Sequence, residues 1–204
     1  ELPYFPRKES SDMLQSMEEL REICLRCAKC ELAQTRTNVV FGVGVPTARV
    51  MLIGEGPGEN EDLLGEPFVG RSGQLMDKML AYVGLSRKSN IYIANMVKCR
   101  PPKNRDPSPG EVETCMPWLR EQIELIAPDI IVCVGRIAAI SIIDPQFKVT
   151  RQHGQFIPRD GRLYMGTFHP AALLRNPHSK PDALEDLLAL RRKLEEMGVM
   201  EAQG

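Results

Sequence analysis

Four apolar runs limit what this chain can fold into: "RVMLIG" at 49–54, "NIYIANMV" at 90–97, "DIIVCVG" at 129–135 and "RLYMGTF" at 162–168. Their side chains do not alternate between apolar and polar, so each run suits a strand buried on both faces, as in a parallel sheet. Helical spacing fills the gaps between them. "SGQLMDKMLAYVG" reads as a helix, as do the segment around Cys115 and the short "RIAAISII". The Cys115 helix has a clear start, because Ser108 caps it, Pro109 suits its first position and Glu111 completes a capping box. Upstream, Ser10 or Ser11 caps a first helix in which Met13, Leu14, Met17, Leu20, Ile23 and Cys24 recur at helical spacing. Downstream, "VTRQHGQFIPRDGRLYMGTF" reads as a hairpin or two late strands, followed by "HPAALLR" and a long C-terminal helix. Strand and helix in alternation predict an α/β fold: a mostly parallel sheet covered by helices on both faces.

At 204 residues and 43% hydrophobic content the chain can bury one real core. The expectation is a floppy tail over 1–10 and a single domain over 11–204. No run of about 18 apolar residues is present, and "ELPYFPRKES" lacks the succession of a signal peptide, which predicts a soluble intracellular protein without membrane association. A formal net charge of -1 excludes a globally basic nucleic-acid coat but not a local patch. "KCRPPKNR" is such a patch, with Lys98, Arg100, Lys103 and Arg105 and no acid, although a solvated loop is its plain reading.

The cysteines divide into kinds. Cys133 sits in a strand-like run and reads as a small buried hydrophobe. Cys24, Cys27 and Cys30 recur every third residue, and one pair of them with Cys99 and Cys115 would make four soft metal ligands. Spacing alone leaves open zinc against iron-sulfur, and which clustered cysteine is spare.

In parallel sheets ligands bind beyond the carboxyl ends of the strands. Here those ends carry "GEGPGENED", Asn95, Gly135 with Arg136, and His169 with "PAALLR". They predict one crevice holding Glu55, Glu61, Asp62, Asn95 and His169, with Phe68 of "EPFVG" nearby. Ring, amide, imidazole and carboxylate together suit a flat polar heterocycle. Each has a plainer use: Asn95 as a turn cap, Phe68 in the core, His169 as a structural histidine before proline. The glycine turn lacks the registers of dinucleotide and phosphate loops.

"GEGPGENED", "EPFVGRSGQLM", "NMVKCRPPKNR" and "HPAALLR" closely resemble the motifs of the family 4 uracil-DNA glycosylases, the iron-sulfur branch of the uracil-DNA glycosylase superfamily. The resemblance runs in order from Cys27 to Arg175. It implies a three-layer α/β/α sandwich around a central, mostly parallel four-stranded sheet, and a DNA repair hydrolase that removes uracil and leaves an abasic site. It also implies a 4Fe-4S cluster on Cys27 and Cys30 of "CAKCELA" with Cys99 and Cys115, leaving Cys24 a free thiol or substitute ligand. The partner implied is uracil-containing DNA, single- or double-stranded, met by a cytoplasmic monomer of prokaryotic type working on the nucleoid.

By the same resemblance, Phe68 stacks on a flipped base, Asn95 pairs with the uracil edge, and His169 stabilises the anionic leaving group. Glu55 and Gly56 shape the pocket with backbone groups. Gly56 stands where the best-known branch carries its aspartate base, so Glu61 is the nearest carboxylate that matches the family pattern, either orienting water or walling off the thymine methyl. Arg100, Lys103 and Arg105 lie against DNA, Leu173 or Leu174 wedges into the duplex, and Arg175 holds phosphate. A covalently trapping sister branch uses an extra histidine that "RPPKNRDPSPG" lacks. A redox or electron-carrying iron-sulfur protein and a non-catalytic nucleotide-binding module are the rival readings.

Overall fold

The computed structural model describes residues 11–202. The expected tail, Ser10 as a cap, and the side chains of Met13 and Leu14 lie outside the described residues. Six strands form one sheet: β1 (Val43–Gly44), β2 (Val50–Gly54), β3 (Ile91–Asn95), β4 (Ile130–Val134), β5 (Ile157–Arg159) and β6 (Arg162–Thr167). Their order is β1-β3-β2-β4-β6-β5. The inner four, β3, β2, β4 and β6, run parallel and are the four apolar runs of the sequence. The sheet is wider than the four strands expected, because β1 and β5 add antiparallel edges. β1 is too short to show any periodicity, and β5 forms the anticipated late hairpin with β6, pairing Ile157 with Tyr164.

The helices are α1 (Ser11–Cys24), α2 (Leu32–Thr35), α3 (Glu59–Leu64), α4 (Arg71–Tyr82), α5 (Pro109–Ile126), α6 (Arg136–Ile142), α7 (Val149–Gln152), α8 (Pro170–Arg175) and α9 (Lys180–Glu196). α7 occupies the start of the segment read from sequence as strands. The capping box on α5 is present: Glu111 N–H donates to Ser108 Oγ at 3.2 Å and Ser108 N–H to the Glu111 carboxylate at 3.0 Å. Each inner strand is buried on both faces, and its alternate residues feed two cores. Met51 and Ile53 of β2 pack with Met17, Trp118 and Ile123 on one side. Val50 and Leu52 pack with Leu80 and Leu190 on the other. Burying each of these side chains contributes about 1.5–3 kcal/mol, which is why the strands tolerate no polar residue until their ends.

From β2 the chain crosses first to β3 on one flank and then to β4 on the other. That reversal parts the loops beyond the carboxyl ends and opens a crevice at the head of β2. Among the described residues no helix is long and apolar enough to cross a membrane.

Candidate active site

The crevice is a cleft of about 820 Å³ lined by Glu55, Gly56, Phe68, Asn95 and His169 among others, so the strand ends do converge. Asn95 closes β3, pairs in register with Gly54 of β2 and is 2% exposed. Its side-chain Oδ1 is buried with no hydrogen-bond partner. A buried acceptor left unpaired costs about 1–3 kcal/mol, a cost that a donor entering the cleft would remove. Gly54 makes the room: a Cβ there would meet Phe68 Cζ at 2.4 Å and Asn95 Oδ1 at 2.5 Å.

Phe68 holds its ring over this space through an uncommon backbone, with φ at +52°. Arg87 clamps that turn, donating to Pro67 O at 2.6 Å and Phe68 O at 2.8 Å, and Gly73 admits it, since a Cβ there would lie 2.0 Å from Phe68 O. Gly73 stands in the "EPFVGRSGQLM" motif, whereas Arg87 carries no sequence signal beyond its residue type.

His169 follows β6 and caps α8. Ala171 N–H donates to its Nδ1 at 3.0 Å, which leaves the ring proton on Nε2. Burial, helped by the Arg175 charge, lowers its pKa from 6.5 to about 4. The imidazole is therefore neutral near pH 7, with one N–H to donate, 5.6 Å from the Phe68 ring by centroids.

The carboxylates sort differently from expectation. Glu61 lines the cleft, but Oε1 accepts from Gly58 N–H at 3.1 Å and Oε2 from Val69 and Gly70 N–H at 3.2 and 2.8 Å. It is a clasp between the glycine turn and the Phe68 loop. Asp62 is not in the crevice at all: it is buried and accepts from the backbone of Thr37 and Asn38 at 2.9–3.1 Å. Glu55 is the cleft carboxyl with a shifted pKa, raised to about 7 by burial and by Asp106 beside it, with Arg136 opposing. Arg136 lines the cleft beyond the end of β4, among the strand ends read from the sequence, whereas Asp106 and Lys148 line it too and were missed because each comes from a loop or helix start with no local pattern.

The basic patch is not four free cations. Lys98 is fully buried, and Arg105 is bound to Glu111 at 3.0 and 2.6 Å, which holds that carboxyl below its usual range. Arg100 donates to Asn104 at 2.7 Å, while Lys103 is exposed. Leu173 packs in the core at 2% exposure, so as a wedge it is excluded and only Leu174 of the pair keeps an accessible side. Arg175 is exposed at the end of α8 and lines the cleft.

Cys27, Cys30, Cys99 and Cys115 line a second, small cavity with Arg36, Lys98 and Trp118. Cys24 is buried in the core outside that lining, its thiol pushed up to about 12 by burial, and Cys133 is buried within β4. Among the described residues no three ligand-type side chains converge on one point as they would around a single metal ion.

Residues 41–190 match the family model described as the uracil DNA glycosylase superfamily. The chain is 42% identical to the type-4 uracil-DNA glycosylase of Archaeoglobus fulgidus, covering 85% of this chain and 90% of that protein. It is 44% identical to the type-4 enzyme of Thermotoga maritima, over 78% of this chain and 84% of the relative. With that of Sulfurisphaera tokodaii the identity is 39%, over 87% and 84%. A cleft built from Phe68, Asn95 and His169 and these matches along most of its length agree: the chain belongs to the uracil-DNA glycosylase superfamily, in its type-4 family.

Proposed function

We propose that this protein hydrolyses the N-glycosidic bond of uracil in DNA, and that Phe68, Asn95 and His169 carry recognition and catalysis. The unpartnered, buried Asn95 Oδ1 is the observation that supports it most. Uracil offers N3–H to such an acceptor, whereas cytosine offers a lone pair at N3 and would leave both atoms unpaired. A base inside a duplex cannot reach this depth, so the nucleotide is extruded, at a cost of a few kcal/mol offset by stacking on Phe68. As the bond to the sugar breaks, charge develops on uracil O2, and the neutral His169 donates Nε2–H to it. A preorganised donor of this kind is worth roughly 3 kcal/mol in the barrier. Glu55 rather than Glu61 is the group that takes the proton from water, because three backbone N–H groups already occupy the Glu61 oxygens. The type-4 relatives by name act as uracil-DNA glycosylases, which supports the same reading.

The thiol cavity fits a 4Fe-4S cluster held by Cys27, Cys30, Cys99 and Cys115. Four thiols spread around a cavity match a cluster that binds them through different irons. Trp118 Nε1 is buried without a partner beside them, and Arg36 donates to Cys99 Sγ at 3.4 Å, both suited to an anionic, sulfur-rich group. When bound, the cluster supplies cross-linking of the Cys27–Cys30 turn, the end of β3 and α5. DNA, single- or double-stranded, runs along the exposed Arg136, Lys148 and Arg175, with Leu174 at the wedge. Both cores share one sheet, which supports residues 11–204 as one domain.

The deciding assay is uracil release from a labelled single-stranded oligonucleotide with one uracil, alongside thymine and cytosine controls. Turnover on uracil alone is expected. No release from cluster-loaded protein would overturn the reading, and protein left bound through denaturation would point to the trapping branch.

A further inference from the structure

Lys98 is 1% exposed and belongs neither to the base-reading set nor to the thiol set. Its Nζ donates to the Asn95 carbonyl at 3.0 Å and to Gln122 Oε1 at 2.6 Å, and lies 5.8 Å from the centre of the Phe41 ring. Gln122 is itself fixed, donating to Phe41 O at 2.9 Å and Tyr92 Oη at 3.3 Å. All of these partners are neutral. Among the described residues the neighbours whose charge would act on Nζ are the thiols of Cys115, Cys24 and Cys99, and no carboxylate is among its partners. An ammonium buried this way is costly by several kcal/mol unless a negative charge balances it.

The balancing charge is available on one side only. Lys98 lines the four-thiol cavity, and its own N–H donates to Cys115 Sγ at 3.2 Å. Four thiolates around a cluster bring net negative charge to that cavity. On its other side the same ammonium grips the main chain of Asn95, the residue whose amide faces the base.

We propose that Lys98 is a positioning residue: its buried ammonium is balanced by the iron-sulfur cluster and holds the Asn95 main chain, coupling the state of the cluster to uracil recognition. The proposal rests on the glycosylase and cluster readings given above. Two consequences follow from the charge. Without the cation an electron added to the cluster is less stabilised, so the reduction potential falls. Without its hydrogen bond Asn95 is held less firmly, so uracil binds less well. Coupling between two sites is reciprocal, so uracil in the cleft must also shift the potential of the cluster.

The test is a redox titration of the cluster-loaded protein, with the electron supplied by an electrode, with and without saturating uracil. Iron content and uracil release of the wild type are measured first. Expected are a uracil-dependent potential in the wild type and, in Lys98→Met, three changes: a lower potential, uracil binding weaker by about tenfold, and no response of the potential to uracil. A side chain that merely packs would lower the melting temperature of Lys98→Met and leave its potential and uracil affinity unchanged, which overturns the proposal. If Lys98→Met fails to fold or to load iron, the wild-type titration decides: a potential indifferent to uracil overturns the coupling and a shifted one supports it. Wild type without iron overturns the cluster reading and the coupling together. Wild type with iron but no excision overturns the glycosylase reading alone, because uracil binding and the potential are still measured.

Discussion

His169 is held neutral by burial, and that has a measurable sign. Its pKa falls from 6.5 to about 4 on folding, so as pH drops the unfolded chain takes up the proton first. The stability it allows is complete above about pH 6.5 and is lost as pH falls towards 4; the melting temperature of the wild type should therefore drop more over that window than that of His169→Gln. At neutral pH, His169→Ala should lower kcat by about 10²–10³-fold, the loss typical of one preorganised donor, with little change in fold. Glu55 acts in the opposite sense. Its carboxyl is raised to about 7 by burial and Asp106, and a base must be ionised, so the excision rate should climb through pH 7. Asp106→Asn removes the neighbouring charge and should move that limb to lower pH; an unmoved limb would assign the base elsewhere. Glu61→Gln separates a clasp from a base. The amide cannot accept from all three backbone N–H groups, so urea denaturation should show a loss of about 1–3 kcal/mol with the activity loss, whereas a pure base would lose rate alone. Phe68, Asn95 and His169 were legible in the sequence because each stands at a strand end or in a motif. The duty of Glu61 was not, since it depends on Val69 and Gly70 coming back to meet it.

Among the elements, the stretch from β3 through α5 does most to join the two sites. Asn95 ends β3, Cys99 follows it, and Cys115 lies on the second turn of α5, whose start is set by Ser108 and Glu111. Replacing Cys99 by Ser should lose iron, measured colorimetrically, and lower the melting temperature, because a cluster on the proposed four thiols would tie this stretch to the Cys27–Cys30 turn. Unchanged iron content would remove Cys99 from the ligand set. The start of α5 was readable from four residues because a capping box is local. The short β1 and the helix α7 were not, since two residues show no period and "VTRQ" has no helical stripe of its own. The basic loop shows the same limit: Arg105 looked free until the fold brought Glu111 back to it within one turn of helix.

At the scale of the molecule, a net charge of -1 leaves DNA binding to a local face, and the cleft carries exposed Arg136, Lys148 and Arg175. Each phosphate contact releases counterions, so affinity for a uracil-free oligonucleotide should fall with salt, and Lys148→Ala should reduce the slope of log K against log salt by about one. An unchanged slope would place the strand on another face. Features that depend on neighbours along the chain were readable from the residues alone: buried strands from continuous apolar runs, helix starts from caps, and the residue types at the strand ends. The motifs also carried the family. Features that depend on groups distant in sequence emerged with the fold: the unpaired Asn95 oxygen, the neutral His169, the shared environment of Glu55 and Asp106, and the burial of Lys98. The reason is physical. A hydrogen bond or a change in pKa is set by what fills the few ångströms around an atom, and in this fold those neighbours come from strands and loops tens of residues apart.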